Sequence, residues 1–103
     1  MTEEKKKSEK QYVVVRTFSA GVHAGYLESH EGKHVTLSHS RRVWYWVGAA
    51  SLSEMAVLGV SKPHDCKFPC AVDSIILTEA IEIIPCTEKA RISLEGVPVW
   101  TAH

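Results

Sequence analysis

Between Tyr12 and Val47 the chain is cut into short β-branched and aromatic runs separated by turn residues. That pattern is the strongest limit on what it can become. Tyr12–Phe18 (YVVVRTF) places Tyr12, Val14 and Arg16 on one side and Val13, Val15 and Thr17 on the other. Ser19-Ala20-Gly21 turns the chain into a second run, Val22 to Ser29. Within His30-Glu31-Gly32-Lys33, Gly32 can take positive φ and close a hairpin onto a third run, His34 to Leu37. Ser38-His39-Ser40 reads as one more turn, leading into a fourth strand, Arg41 to Val47. Four short strands at this spacing predict an antiparallel meander that curls into a small sheet or barrel.

The remainder adds helices. Ser51 is placed to cap a helix reaching Gly59, with Leu52, Met55, Ala56 and Leu58 or Val60 at helical spacing. Lys62–Asp65 reads as a loop, and Cys66–Cys70 as irregular or a short edge segment, because Pro69 has no N–H for a ladder. Val72–Leu77 and Thr78–Ile84 read as strands, the second ended by Pro85. Thr87 caps a second helix, Glu88–Leu94, with Gly96 at its end. Val97–Trp100 is expected to run extended and dock Trp100 on the body or on a neighbouring subunit. The expected fold class is therefore α+β: a small curled antiparallel β-sheet or barrel with two short helices, as one domain over residues 11–103. Residues 1–10 (MTEEKKKSEK) carry no apolar side chain after Met1 and are expected to be a disordered charged tail. At 103 residues the core is limited. A homo-oligomer is expected, with Trp46, Phe68 and Trp100 as candidates for burial against a partner.

Charge and composition narrow the function. The formal net charge is zero, which argues against binding a long nucleic acid or a membrane surface. No apolar run approaches a membrane span, and the charged start has no apolar signal region. Three cysteines suggest no disulfide framework, so a reducing compartment is expected. Cys66 and Cys70 have a C-x-x-x-C spacing outside the tight zinc-knuckle patterns, and no second pair joins them. Neither a metal site with His64 and Cys86 nor any other cofactor is expected. There is no nucleophile elbow, no Gly-rich phosphate loop and no cysteine–histidine pairing that would mark an enzyme. A non-catalytic binding protein is expected.

One cluster carries chemistry of its own. In Arg41-Arg42-Val43-Trp44-Tyr45-Trp46-Val47 the alternation of a strand puts Arg42, Trp44 and Trp46 on one face. Arg41, Val43, Tyr45 and Val47 share the other, core-like face. Gly48-Ala49-Ala50 is short, so the helix start at Ser51 and Ser53 should lie close by. Helix-start amides and arginine forks suit phosphate, and bases stack on indole or phenol planes at about 1–3 kcal/mol per base. Arg41, Arg42, Trp44, Tyr45, Trp46, Ser51 and Ser53, with Arg16 and with His23 beside the Ser19–Gly21 turn, are the candidate ligand-binding residues for a small nucleotide. The competing reading is that Trp44 and Trp46 are core or subunit-interface residues.

The stretches VRTFSAGVHAGYL, RRVWYWVGAASLSEMA, CKFP and TEAIEIIPCTEKA resemble a family of small proteins encoded by tailed bacteriophages and prophages, over nearly the whole chain after residue 11. The resemblance brings no functional residue with it. What it implies is a setting: a phage accessory protein in the cytoplasm of the bacterial host. Together with the candidate cluster, it suggests a sponge that sequesters a cyclic nucleotide immune signal without cleaving it. The alternatives are an anti-CRISPR-like inhibitor that binds a host defence complex, and a phage structural or assembly protein.

Overall fold

Five antiparallel strands form one sheet in the order β4-β3-β2-β1-β5: β1 (Tyr12–Thr17), β2 (Val22–Glu31), β3 (His34–Arg42), β4 (Val72–Leu77) and β5 (Ala80–Pro85). Two helices, α1 (Leu52–Leu58) and α2 (Glu88–Glu95), complete an α+β fold. The computed structural model describes residues 10–101. The expected charged tail, apart from Lys10, lies outside the described residues. None of the described helices is long and apolar enough to cross a membrane.

The sheet is not closed into a barrel, but it must curl. β4 and β5 occupy opposite edges, yet only Thr78 and Glu79 separate them in sequence. The curl wraps one face around Val13, Val15, Val35, Leu37 and Leu77, which are buried without help from any helix. The other face carries Tyr12, Val14, Ala24 and Tyr26 and is covered by Met55 of α1, Leu94 of α2, Phe68 and Val97. Both helices are capped as their sequences require. Ser51 Oγ accepts from Glu54 N, and Thr87 Oγ1 accepts from Ala90 N. Thr87 also donates to Val57 O at 2.7 Å and its amide to Ala56 O at 2.9 Å, tying the start of α2 to the end of α1.

The expected fourth strand, Arg41–Val47, is not one. β3 runs unbroken from His34 to Arg42, and beyond it only Tyr45 makes a bridge, to Lys67. The expected turn at Ser38–Ser40 is a β-bulge inside β3. Tyr26 pairs with Ser38 and Ala24 with Arg41, so His39 and Ser40 together face Gly25. His39 takes φ 47°, the left-handed conformation that supplies the extra residue. A Cβ on Gly25 would lie 3.0 Å from Ser38 O and from Ser40 Cα, so only glycine lets the bulged strand approach so closely. Because strand side chains alternate, the bulge decides which arginine faces which side. Arg41 turns to the helix-covered face with Ala24, and Arg42 turns to the opposite face with His23.

Phe68, a candidate for partner burial, is fully buried within its own chain. Trp46 is half-buried against the core and Trp100 is half-buried on Trp44.

Gly59 ends α1 at φ 80°, and a Cβ there would fall 2.3 Å from Ser93 Cβ and Oγ on α2. Gly59→Ala is expected to destabilise the fold by at least about 1–3 kcal/mol from the backbone conformation alone. A urea denaturation curve with an unmoved midpoint would refute this.

Candidate functional site

Beyond β3 the chain leaves the sheet and builds a small ribbon from three distant segments. Trp44 N and Tyr45 N both donate to Lys67 O, at 3.2 and 3.3 Å, and Lys67 N donates to Tyr45 O at 2.8 Å. Phe68 forms a parallel bridge with Val99, and Trp100 N donates to Phe68 O at 2.9 Å. The ribbon brings three aromatic rings together at the surface. Trp44 and Trp100 stack with centroids 5.3 Å apart and planes 7° from parallel. Lys67 Nζ lies 5.6 Å from the centroids of Trp44 and Tyr45 and 5.5 Å from that of Trp100. Trp44 is 59% exposed and Tyr45 49%. A tryptophan that open to water, yet held rigid by a stacked partner, is a preformed platform for another flat ring.

The platform is held from beneath by Arg41. This side chain is only 6% exposed. Its Nη2 donates to Phe68 O at 2.9 Å and to Pro98 O at 3.4 Å. Nη1 donates to Val97 O at 2.6 Å and Leu94 O at 3.3 Å, and Nε to Pro69 O at 3.3 Å. The guanidinium also sits 5.2 Å from the centroid of the Phe68 ring. Burial lowers the Arg41 pKa from the ordinary arginine value, and the carbonyl dipoles answer the buried charge. Arg41 thus grips the two segments that carry Lys67 and Trp100. It has no fork left for a ligand.

The other expected site residues lie elsewhere. Arg42 is exposed and donates from Nη1 to Ala20 O at 2.7 Å, and His23 Nε2 meets the same carbonyl at 3.0 Å. Since a carbonyl only accepts, Nε2 carries the proton of a neutral His23 ring. Trp46 donates from Nε1 to Ala49 O at 3.2 Å and packs on the core. Ser51 is occupied as the cap of α1, and Glu54 reaches back to accept from Ala50 N at 2.6 Å. That reciprocal capping puts a carboxylate where a phosphate was expected. Ser53 is exposed on α1, and Arg16 pairs with Glu82 at 2.9 Å across β1 and β5. Of the nine expected residues, Trp44 and Tyr45 meet in the platform. Lys67 and Trp100 complete it and are absent from the expected site, although Trp100 was expected to dock on the body or on a neighbouring subunit.

Among the described residues no three His, Cys, Asp or Glu side chains converge in a metal-holding arrangement. Cys66 is buried and Cys86 half-buried, with burial pushing the Cys86 thiol up to about 12; Cys70 is exposed.

A family model described as a domain of unknown function, DUF6948, matches residues 10–94. No curated protein and no solved structure matches the chain.

Arg41→Lys keeps the charge but loses the planar fork. It is expected to destabilise the fold by at least about 1.5–3 kcal/mol, the scale of a hydrogen bond to a charged group. Chemical denaturation checks this, and a wild-type midpoint would contradict it. A second expectation concerns pH. Burial and, less strongly, the Arg42 charge lower the pKa of His23 from 6.5. Below that value the unfolded chain binds more protons than the folded one, so stability falls as pH drops through 6.5 towards the folded pKa. His23→Gln should flatten that part of the stability–pH curve; an identical slope in both proteins would exclude the effect.

Proposed function

For this chain, which belongs to the DUF6948 family, we propose a capture function: it binds a small nucleotide on the Trp44–Trp100 platform and holds it without turnover. The stacked indoles with Lys67 poised 5.5–5.6 Å from three ring centroids are the observation that carries the reading. A purine or pyrimidine ring would extend the stack, and the ammonium would face the phosphate. Lys67 already offers its charge to the rings, so a cationic guest would be repelled while an anionic one gains a partner. Stacking and charge are binding interactions, which favours sequestration over chemistry. The sequence resemblance to phage proteins supplies the setting. The ligand is then a cyclic nucleotide signal of the bacterial host's defence, and the site of action is the host cytoplasm. Assembly into a homo-oligomer would let neighbouring copies hold the two ends of a cyclic dinucleotide.

A second reading has one observation in its favour. Trp44, Tyr45 and Val99 are 59, 49 and 56% exposed and lie on the same ribbon, as a hot spot for a host protein would.

Tryptophan fluorescence titrations with cyclic di- and trinucleotides and cyclic ADP-ribose isomers decide between them. Capture requires saturable quenching by at least one of these. Trp44→Ala should then weaken binding about five- to a hundredfold, the loss of one stacked base. Lys67→Gln should reduce both affinity and its salt dependence. No quenching across the panel, or unchanged affinity in Trp44→Ala, would remove the nucleotide reading and leave the protein-binding one.

A further inference from the structure

On the face of the sheet opposite the helices there is a cavity of about 200 Å³ lined by His23, Ser40, Arg42, Pro69, Cys70, Val72 and Ile75. We propose that this cavity is a second site, separate from the aromatic platform, that takes a short aliphatic carboxylic acid. Three observations support the assignment. Ser40 is 2% exposed, and its Oγ has no hydrogen-bond partner among the described residues. Buried hydroxyls without a partner are rare in folded proteins and mark places where a ligand or water completes the structure. Arg42 is anchored through Nη1 to Ala20 O, and its Nε and Nη2 donors make no hydrogen bond among the described residues. A guanidinium edge with free donors suits the two oxygens of a carboxylate. The remaining walls, Pro69, Val72 and Ile75, are apolar and suit a hydrocarbon body.

The fold places these groups there by design of the strand. The bulge at His39 brings Ser40 against Gly25 and turns Arg42 to the His23 side. Ala20 O fixes His23 and Arg42 together, so the polar end of the cavity is held before any ligand arrives. Size sets the ligand class. At about 30 Å³ per water-sized group, the volume holds roughly six or seven heavy atoms, as in butyrate or valerate. Inorganic phosphate would leave the apolar walls uncovered, and an alcohol of the same length would leave Arg42 unpaired.

Cys70 gives a direct readout. It lines the cavity as an exposed thiol, whereas Cys66 is buried and burial holds Cys86 in its unreactive thiol form. The rate of Cys70 alkylation in the full chain is measured against increasing butyrate, with phosphate and 1-butanol as parallel probes. Saturable protection by butyrate, absent with phosphate and butanol, is expected. Arg42→Gln should weaken that protection at least about tenfold, the loss of a charge-assisted pair. Val72→Trp, at a 43% exposed edge-strand position, should fill the cavity and abolish protection, with its melting curve confirming the fold. Trp44→Ala should leave protection intact, which separates this site from the platform. No protection by butyrate, equal protection by phosphate or butanol, or full protection in Arg42→Gln would each overturn the proposal.

Discussion

A single buried guanidinium holds the non-sheet half of this molecule in place. Arg41 leaves β3 on the helix-covered face and donates to carbonyls of Phe68, Pro69, Leu94, Val97 and Pro98. Those oxygens come from a loop, from the last turn of α2 and from the extended tail. Leu94 lies in the last turn of α2, where carbonyls lack intrahelical partners and a positive charge is favoured. The same interaction therefore ends a helix, seats a loop and lays down a tail. Because Lys67 and Trp100 ride on two of these segments, the geometry of the surface platform is inherited from a charge that never reaches the surface.

Which arginine plays that part is decided by one residue of bulge. A regular strand through His39 and Ser40 would exchange the faces of Arg41 and Arg42. The basic residue now buried among carbonyls would then sit at the open cavity, and the other would enter the core. His39 at positive φ, with Gly25 opposite, fixes the arrangement. The cavity and the platform thus share an origin, although they lie on different faces and present different chemistry.

Much of the fold was legible because local rules govern it. Alternation marked β1 and the first half of β3, apolar β-branched composition marked β4, Gly32 marked the hairpin, and Ser51, Thr87, Gly59 and Gly96 marked the helix ends. Pro69 was rightly read as a break in regular structure. The Ser38–Ser40 segment was misread because turns and bulges draw on the same residues, and only the pairing partner tells them apart. Val43–Val47 has strand chemistry, but tertiary contacts overrode it, and only Tyr45 found a bridge. In the candidate site, Trp44 and Tyr45 were visible as a local cluster. Lys67 and Trp100 come from far along the chain, and no local pattern announces a contact of that kind. The helix start at Ser51 reads as an anion site because arginines and indoles precede it in sequence, but Glu54 occupies that place by accepting from Ala50 N.

The two-residue link between opposite edges of the sheet has a kinetic meaning. β1 is an inner strand, flanked by β2 and by β5, and its pairing of Val13 with Pro85 spans about seventy residues. A chain emerging from the ribosome can zip β1, β2 and β3 as neighbours, but it exposes the open flank of β1 until β5 has been synthesised. Closure is therefore a late, non-local event with a large loop entropy to overcome, which places folding towards the slow end for a domain of this size. During that interval Val13 and Val15 have neither a covering strand nor a curled sheet around them, so the nascent chain is most prone to associate with other chains at its own first strand.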